Sequence, residues 1–181
     1  MNFFTFLLIL VIIAGILGII YVINYNKMQY LKTKIEQSEG IIDETLRERY
    51  DLLVRADGII KTALNDDKDY LKEYINLKNK NLTNFEMDRS LRKAFIVLSK
   101  FKDDYKELQN NKEMKEIFTS IKESNEKLTA TTSYYNKNTN MLNGYIRKFP
   151  SNLIAKFNNF KIKPFFDGKD MTDEIYDDFK L

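Results

Sequence analysis

The chain of 181 residues contains no cysteine, no histidine and no tryptophan. Without cysteine there is no disulfide framework, no thiolate nucleophile and no thiolate metal site. Without histidine, zinc sites built from Cys and His are excluded, and so are triads that use imidazole as the base. Carboxylates, Lys, Tyr, Ser and Thr are all that is left for catalysis, so we assign no catalytic residue, no cofactor and no metal. Six glycines and two prolines leave little material for turns, and the elements should be few and long. That points to helices. A net charge of +3, with no basic face interleaved with stacking aromatics, argues against nucleic acid as a partner.

What is present begins with one apolar run. Phe3 to Ile23 reads FFTFLLILVIIAGILGIIYVI, without a charge and with only Thr5 and Tyr21 carrying polar side-chain atoms. At ~1.5 Å rise per residue, a helix of about 20 residues crosses a hydrocarbon core of roughly 30 Å. Residues 1–24 therefore read as a transmembrane anchor that meets the lipid bilayer through residues 3–23. A cleaved signal peptide would show a basic start, a shorter apolar stretch and a small-x-small site; none is there, so the segment should be retained. Positively charged flanks stay on the cytoplasmic side. Met1 and Asn2 precede the run whereas Lys27, Lys32 and Lys34 follow it, which predicts a single-pass protein of the cell membrane with its N-terminus outside and the rest cytoplasmic. Tyr21, Tyr25 and Tyr30 sit where amphipathic rings favour the interface.

Beyond Asn24 the apolar residues take the three-four spacing of helices with one buried stripe. The first run is Met28, Leu31, Ile35, Ile42, Leu46, Leu53, Ala56, Ile60 and Leu64, stopping at Asn65 to Asp67, where Asp66 or Asp67 can cap the next helix. The second carries Leu71, Tyr74, Ile75, Leu82, Leu91, Phe95, Leu98, Tyr105 and Leu108, and is weakest where Asn79, Asn81 and Asn84 lower helix propensity together. The third carries Met114, Ile117, Ile121, Leu128, Tyr135, Leu142, Ile146 and Phe149. This predicts an all-α chain: an N-terminal transmembrane helix running without a break into an elongated antiparallel bundle, over residues 25–166, of three long coiled-coil-like helices, or four if the second breaks near Asn79–Asn84. Asn125, Thr132 and Thr139 fall near the third stripe, where polar groups more often fix register than line a ligand pocket. Arg49 and Asp51, two apart, do not face each other on a helix, so Arg49 should pair with a carboxylate on another helix.

Pro150 cannot continue the third helix, and Ser151 can cap a short new turn holding Leu153, Ile154 and Phe157. Phe160, Phe165 and Phe166 would then lie back along the bundle, as packing or as an exposed aromatic patch for a partner. Residues 167–181 form an acidic tail with six carboxylates against Lys169 and Lys180. It reads as a disordered solubilising tail, or as a segment that folds onto a partner groove through Met171, Ile175, Tyr176 and Phe179. Phe160, Phe165, Phe166, Ile175, Tyr176 and Phe179 are the candidate partner-binding residues.

From Ala130 the sequence reads ATTSYYNKNTNMLNGYIRKFPSNLIAKFNNFKIKPFF, which resembles the C-terminal signature of the LemA family. Tyr134, Tyr135 and Asn136 stand for its YYN, Asn143 for its second Asn, Phe149 to Ala155 for its FPSNLIA, and Phe165 and Phe166 for its closing aromatics. Upstream, Tyr25-Asn26 and the stretch from Leu46 to Leu53 are similar to the family's YN and its R-x-D-L helix, with Arg49, Asp51 and Leu52 matching and Val54, Arg55 and Asp57 departing. The resemblance implies a bacterial, membrane-anchored helical bundle without established enzymatic activity. It also implies, through gene neighbourhood, an unknown protein partner of the kind of an HtpX-like protease or a TPM-domain protein. It brings no catalytic residues. Function is therefore expected to be that of a non-enzymatic membrane-tethered interaction or scaffold module. The rivals are a carboxylate-metal enzyme, which in helical bundles uses histidine, and a transmembrane signalling adaptor.

Overall fold

The computed structural model describes residues 2–65, 68, 70–76 and 82–166. Among them all regular structure is helical: α1 (Phe3–Leu64), α2 (Lys72–Ile75), α3 (Asn84–Asp104), α4 (Lys106–Asn110), α5 (Lys112–Arg147) and α6 (Ser151–Phe157). The described residues form two compact units, one of residues 2–37 and 135–165, the other of Phe166 and those described between 38 and 134. Helices α1 and α5 contribute to both.

The apolar run and the first stripe are one helix, as expected. Between Phe3 and Ile23 every residue except Ile20 is exposed, whereas from Met28 on burial is one-sided, with Met28, Leu31 and Ile35 inside the first unit. In the second unit the stripe continues through Ile42, Leu46, Leu53, Ala56 and Ile60. Met28, Ile35, Ile42, Arg49 and Ala56 recur every seven residues and are all at most 1% exposed, so a guanidinium occupies a core position of the repeat. Asn65, at φ 47°, takes the left-handed conformation that Asn tolerates and ends α1. The caps expected at Asp66 or Asp67 lie outside the described residues.

The second run is not one long helix. It is a short α2, then α3, then a single turn, α4. Thr83 is extended and starts α3 with a reciprocal capping box, its hydroxyl accepting from the Glu86 amide while the Glu86 carboxylate accepts from the Thr83 amide. The expected interruption thus falls between Ile75 and Asn84. A second one, not expected, falls at Tyr105, which is extended. Asp103 and Asp104 put negative charge at the end of α3, where the helix dipole disfavours it, and the freed Asp103 carbonyl accepts from the Gln109 side chain at 2.8 Å. The Tyr105 ring stacks on Phe101, which also meets Tyr70 edge-on. Asn111 caps α5 by accepting from the Met114 amide at 2.9 Å.

Helix α5 buries Met114, Ile117, Ile121 and Leu128 in the second unit and Tyr135 and Leu142 in the first. Phe149, placed on the same stripe by its spacing, is instead 73% exposed, because α5 ends at Arg147 and Pro150 turns the chain before the stripe comes round.

Candidate interaction surface

In the first unit the chain doubles back after α5, and the signature residues hold the return. Ser151 opens α6 without capping it: Pro150 occupies the cap position, and the Ser151 hydroxyl lies 2.7 Å from the carbonyls of both Tyr145, near the end of α5, and Lys148, which also accepts from the Asn152 amide. The expectation that Ser151 caps the new turn is corrected on this point. At the far end of α6 the Phe160 amide donates to the Ala155 carbonyl and the Asn159 amide to that of Lys156. Asn159 sits at φ 56°. This is a Schellman stop made with Asn in place of Gly.

The returning segment of residues 160–165 belongs to no helix, and side chains supply hydrogen bonds to its backbone. The Asn143 amide group donates to the Lys163 carbonyl at 2.8 Å and accepts from the Lys163 amide at 2.9 Å. The Tyr135 hydroxyl donates to the Pro164 carbonyl at 2.9 Å. A buried Asn that satisfies both backbone groups of one residue replaces a ladder pair, and removing it takes that partner from both. Tyr135 and Asn143 of the YYN-and-Asn signature are therefore clamps for the return.

The return is tied to the end of the apolar run. Asn158 donates through its amide to the Ile154 carbonyl at 2.8 Å, leaving its oxygen to accept from the Tyr21 hydroxyl at 3.2 Å. Phe160 packs edge-on against Tyr25 at 6.1 Å, and Tyr25 stacks on Tyr21. Asn24 lines a cleft of about 420 Å³ with Gly144, Lys148, Phe149, Pro150 and Ser151.

Of the candidate residues, Phe160 and Phe165 are half-buried in this unit, and Phe166 is half-buried against Phe85 in the other at 5.9 Å. None of the three forms an open patch. Ile175, Tyr176 and Phe179 lie outside the described residues. The exposed apolar surface is elsewhere: Phe149, Leu153 and Phe157, spaced every four residues, are 73%, 60% and 82% exposed, while Ile154 and Ala155 on the other side of α6 are buried. Helix α6 holds Leu153, Ile154 and Phe157, as expected of the short turn, and of the three only Ile154 is buried. The i, i+4 spacing of Leu153 and Phe157 within α6 was the signal that could have placed these two on one face.

The second unit has a charged interior. Arg49, fully buried, donates from Nη1 to Asp88 on α3, so the expected ion pair across helices is present. Arg92 Nε donates to the other Asp88 oxygen at 2.8 Å. Arg49 Nε and Nη2 have no hydrogen-bond acceptor among the described residues, but the guanidinium lies over the Phe95 ring at 5.2 Å, a partial compensation for lost water. Burial pushes the Arg49 pKa down, and the hydrogen bond and charge of Asp88 oppose the fall. Asp57, one of the departures from the family pattern, is buried too; it accepts from the Leu71 amide at 3.3 Å and pairs with Lys61 at 2.9 Å. Tyr50 donates to the Ile75 carbonyl at 2.7 Å. These polar groups fasten the 70–76 segment and α3 to α1. Of the polar residues on the third stripe, Thr132 returns its hydroxyl to the Leu128 carbonyl, and Thr139 is buried with its hydroxyl unpaired among the described residues.

No curated protein and no solved structure gives a significant match to the chain. The model of the LemA family matches residues 38–176, and on that match the chain belongs to the LemA family.

Proposed function

We propose that the protein is a single-pass membrane protein whose residues 3–23 anchor it in the cell membrane, with the N-terminus outside and a cytoplasmic, non-enzymatic helical bundle that serves as an interaction module. The observation that carries this reading is the change of character along α1. Its most apolar 18-residue window has a mean hydropathy of 3.2 and nothing buried, and the stripe that follows is buried on one side only. A helix apolar all round needs lipid or a core around it, and the described residues supply no core there.

In this reading the bundle helices run antiparallel. The pairing of Glu48 with Lys127 at 3.5 Å, together with the cleft shared by Gly58, Ile59 and Thr62 with Asn111, Lys112 and Glu113, supports that direction in the second unit. A binding role in place of catalysis is supported by the buried polar groups, since Arg49, Asp57, Asp88, Asn143 and Ser151 all hold one segment of the chain to another. The family's association with HtpX-like proteases and TPM-domain proteins makes these the first partners to try, with the acidic tail of residues 167–181 as a docking element whose binding weakens with salt.

Because the chain has no cysteine, single-cysteine variants test the topology cleanly. In intact cells a membrane-impermeant maleimide should label Asn2→Cys but reach Glu123→Cys only after lysis. Labelling of Glu123→Cys from outside would overturn the orientation.

A further inference from the structure

We infer that α6 and the turns on either side of it form a second membrane contact, lying in the interface and selective for anionic lipid headgroups. This rests on residues 3–23 being a membrane anchor. Three independent observations converge on it.

The first is position along the membrane normal. Asn158 is hydrogen-bonded to Tyr21, Phe160 packs on Tyr25, and Phe149, Pro150 and Ser151 line a cleft with Asn24. Both ends of α6 are thereby held level with residues 21–25, the turn on which the apolar run closes. If that run spans the bilayer, α6 sits at the headgroup boundary, where Tyr rings are favoured.

The second is the character of its outer face. Leu153 and Phe157 on α6, and Phe149 in the turn before it, are exposed, while Ile154 and Ala155 are buried. Three large apolar side chains in a row on water are unusual for a soluble surface, whereas an interfacial helix buries such a face about 5–10 Å into the headgroup and acyl boundary.

The third is charge. Between Lys127 and Phe166 there is no Asp or Glu, and Arg147, Lys148, Lys156 and Lys161 are all exposed around the apolar face. The first unit, over residues 2–37 and 135–165, holds nine Lys and Arg against Glu36 alone, while residues 38–134 hold 18 against 19 acids. Long basic side chains can lay their stems along the apolar face and reach the phosphates, and an anionic leaflet attracts such a segment. A protein partner would have no need of this agreement between depth, apolarity and one sign of charge.

The absence of native tryptophan allows a direct test with full-length protein in vesicles. Phe157→Trp places one reporter on the face, Leu17→Trp one in the anchor, and Ile96→Trp one on an exposed position of α3. Vesicles of phosphatidylcholine and phosphatidylglycerol carry lipids brominated near the headgroup end of the acyl chain. We expect blue-shifted emission and strong bromine quenching for Leu17→Trp and Phe157→Trp, and neither for Ile96→Trp. Omitting phosphatidylglycerol, or replacing Lys148, Lys156 and Lys161 by Gln, should lower the docked fraction of Phe157→Trp, by about five-fold in the docked-to-free ratio for each lysine. If Leu17→Trp is quenched and Phe157→Trp is not, the anchor stands, the inference falls and the face is left to a protein partner. If Leu17→Trp is not quenched, the anchor reading itself fails. Quenching of Phe157→Trp indifferent to lipid charge and to the lysines overturns the selectivity for anionic headgroups.

Discussion

The two units of this chain solve the same problem, holding long helices to their neighbours, with opposite chemistry. The second unit buries charge, with Arg49, Asp57 and Asp88 all inside, each paired with a group distant in sequence. The first unit, among its described residues, buries only neutral polar side chains, Asn138, Thr139, Asn143 and Ser151, and keeps its charges outside and almost all of one sign. Buried ion pairs give directional, costly fastening, whereas a side-chain amide that satisfies both backbone groups of one residue fastens a segment without adding charge. The difference suits a unit whose exposed Arg147, Lys148, Lys156 and Lys161 surround an apolar face without an acidic residue between Lys127 and Phe166.

The comparison is broken most severely at Asp88. Replacing it with Ala leaves Arg49 buried without a counter-ion, a loss of about 3–5 kcal/mol, and thermal unfolding of the purified chain should show it. Arg49→Met removes the buried cation and leaves Asp88 paired with Arg92, so it should cost less. If Asp88→Ala melts like the wild type, the charged interior is not what holds α3.

The corresponding lesion in the first unit is Asn143→Ala, which strands the Lys163 amide and carbonyl at about 1–3 kcal/mol for a buried polar group left unpaired. The effect should be local: trypsin should cut faster after Lys161, with protection of α3 unchanged. Equal loosening of α3 would mean the clamp is not confined to the return.

How much of this was legible can be judged on particular residues. Apolar spacing named nearly the whole core, from Met28 to Ile60 on α1 and from Met114 to Leu142 on α5, because a three-four period is a property of the sequence itself. It also required a distant partner for Arg49, but no local pattern could name Asp88, which lies 39 residues away. The break at Tyr105 carries no Gly or Pro, and comes from two acidic residues at a helix end together with the packing of Tyr105 on Phe101. Phe149 was misplaced because a stripe extrapolated by spacing takes no account of where the helix stops. The signature residues Tyr135 and Asn143 were recognisable as a pattern, while their work as clamps depends on where residues 163–164 return.

A smaller effect belongs to the start of α3. The Thr83 amide, and then its hydroxyl, hold the Glu86 carboxyl below the ordinary glutamate range. A carboxyl depressed in the folded state contributes stability above its unfolded pKa, and the contribution is lost as pH falls through the folded value. Thr83→Ala should cost about 1 kcal/mol at neutral pH, and its difference in melting temperature from the wild type should shrink below the ordinary carboxylate range. A difference independent of pH would separate Glu86 from the cap. Smallest of all, Leu153→Ser should change stability by no more than about 0.5 kcal/mol, as expected for a surface position; a clear loss would show that this face packs against the protein.

The contrast between the units is tested most directly by hydrogen–deuterium exchange of the full-length protein in vesicles with and without phosphatidylglycerol. We predict that anionic lipid increases protection in peptides covering residues 145–163 and leaves residues 85–104 and 112–130 unchanged. Protection that is the same in both vesicles, or that rises in α3 and the first half of α5 instead, would contradict it.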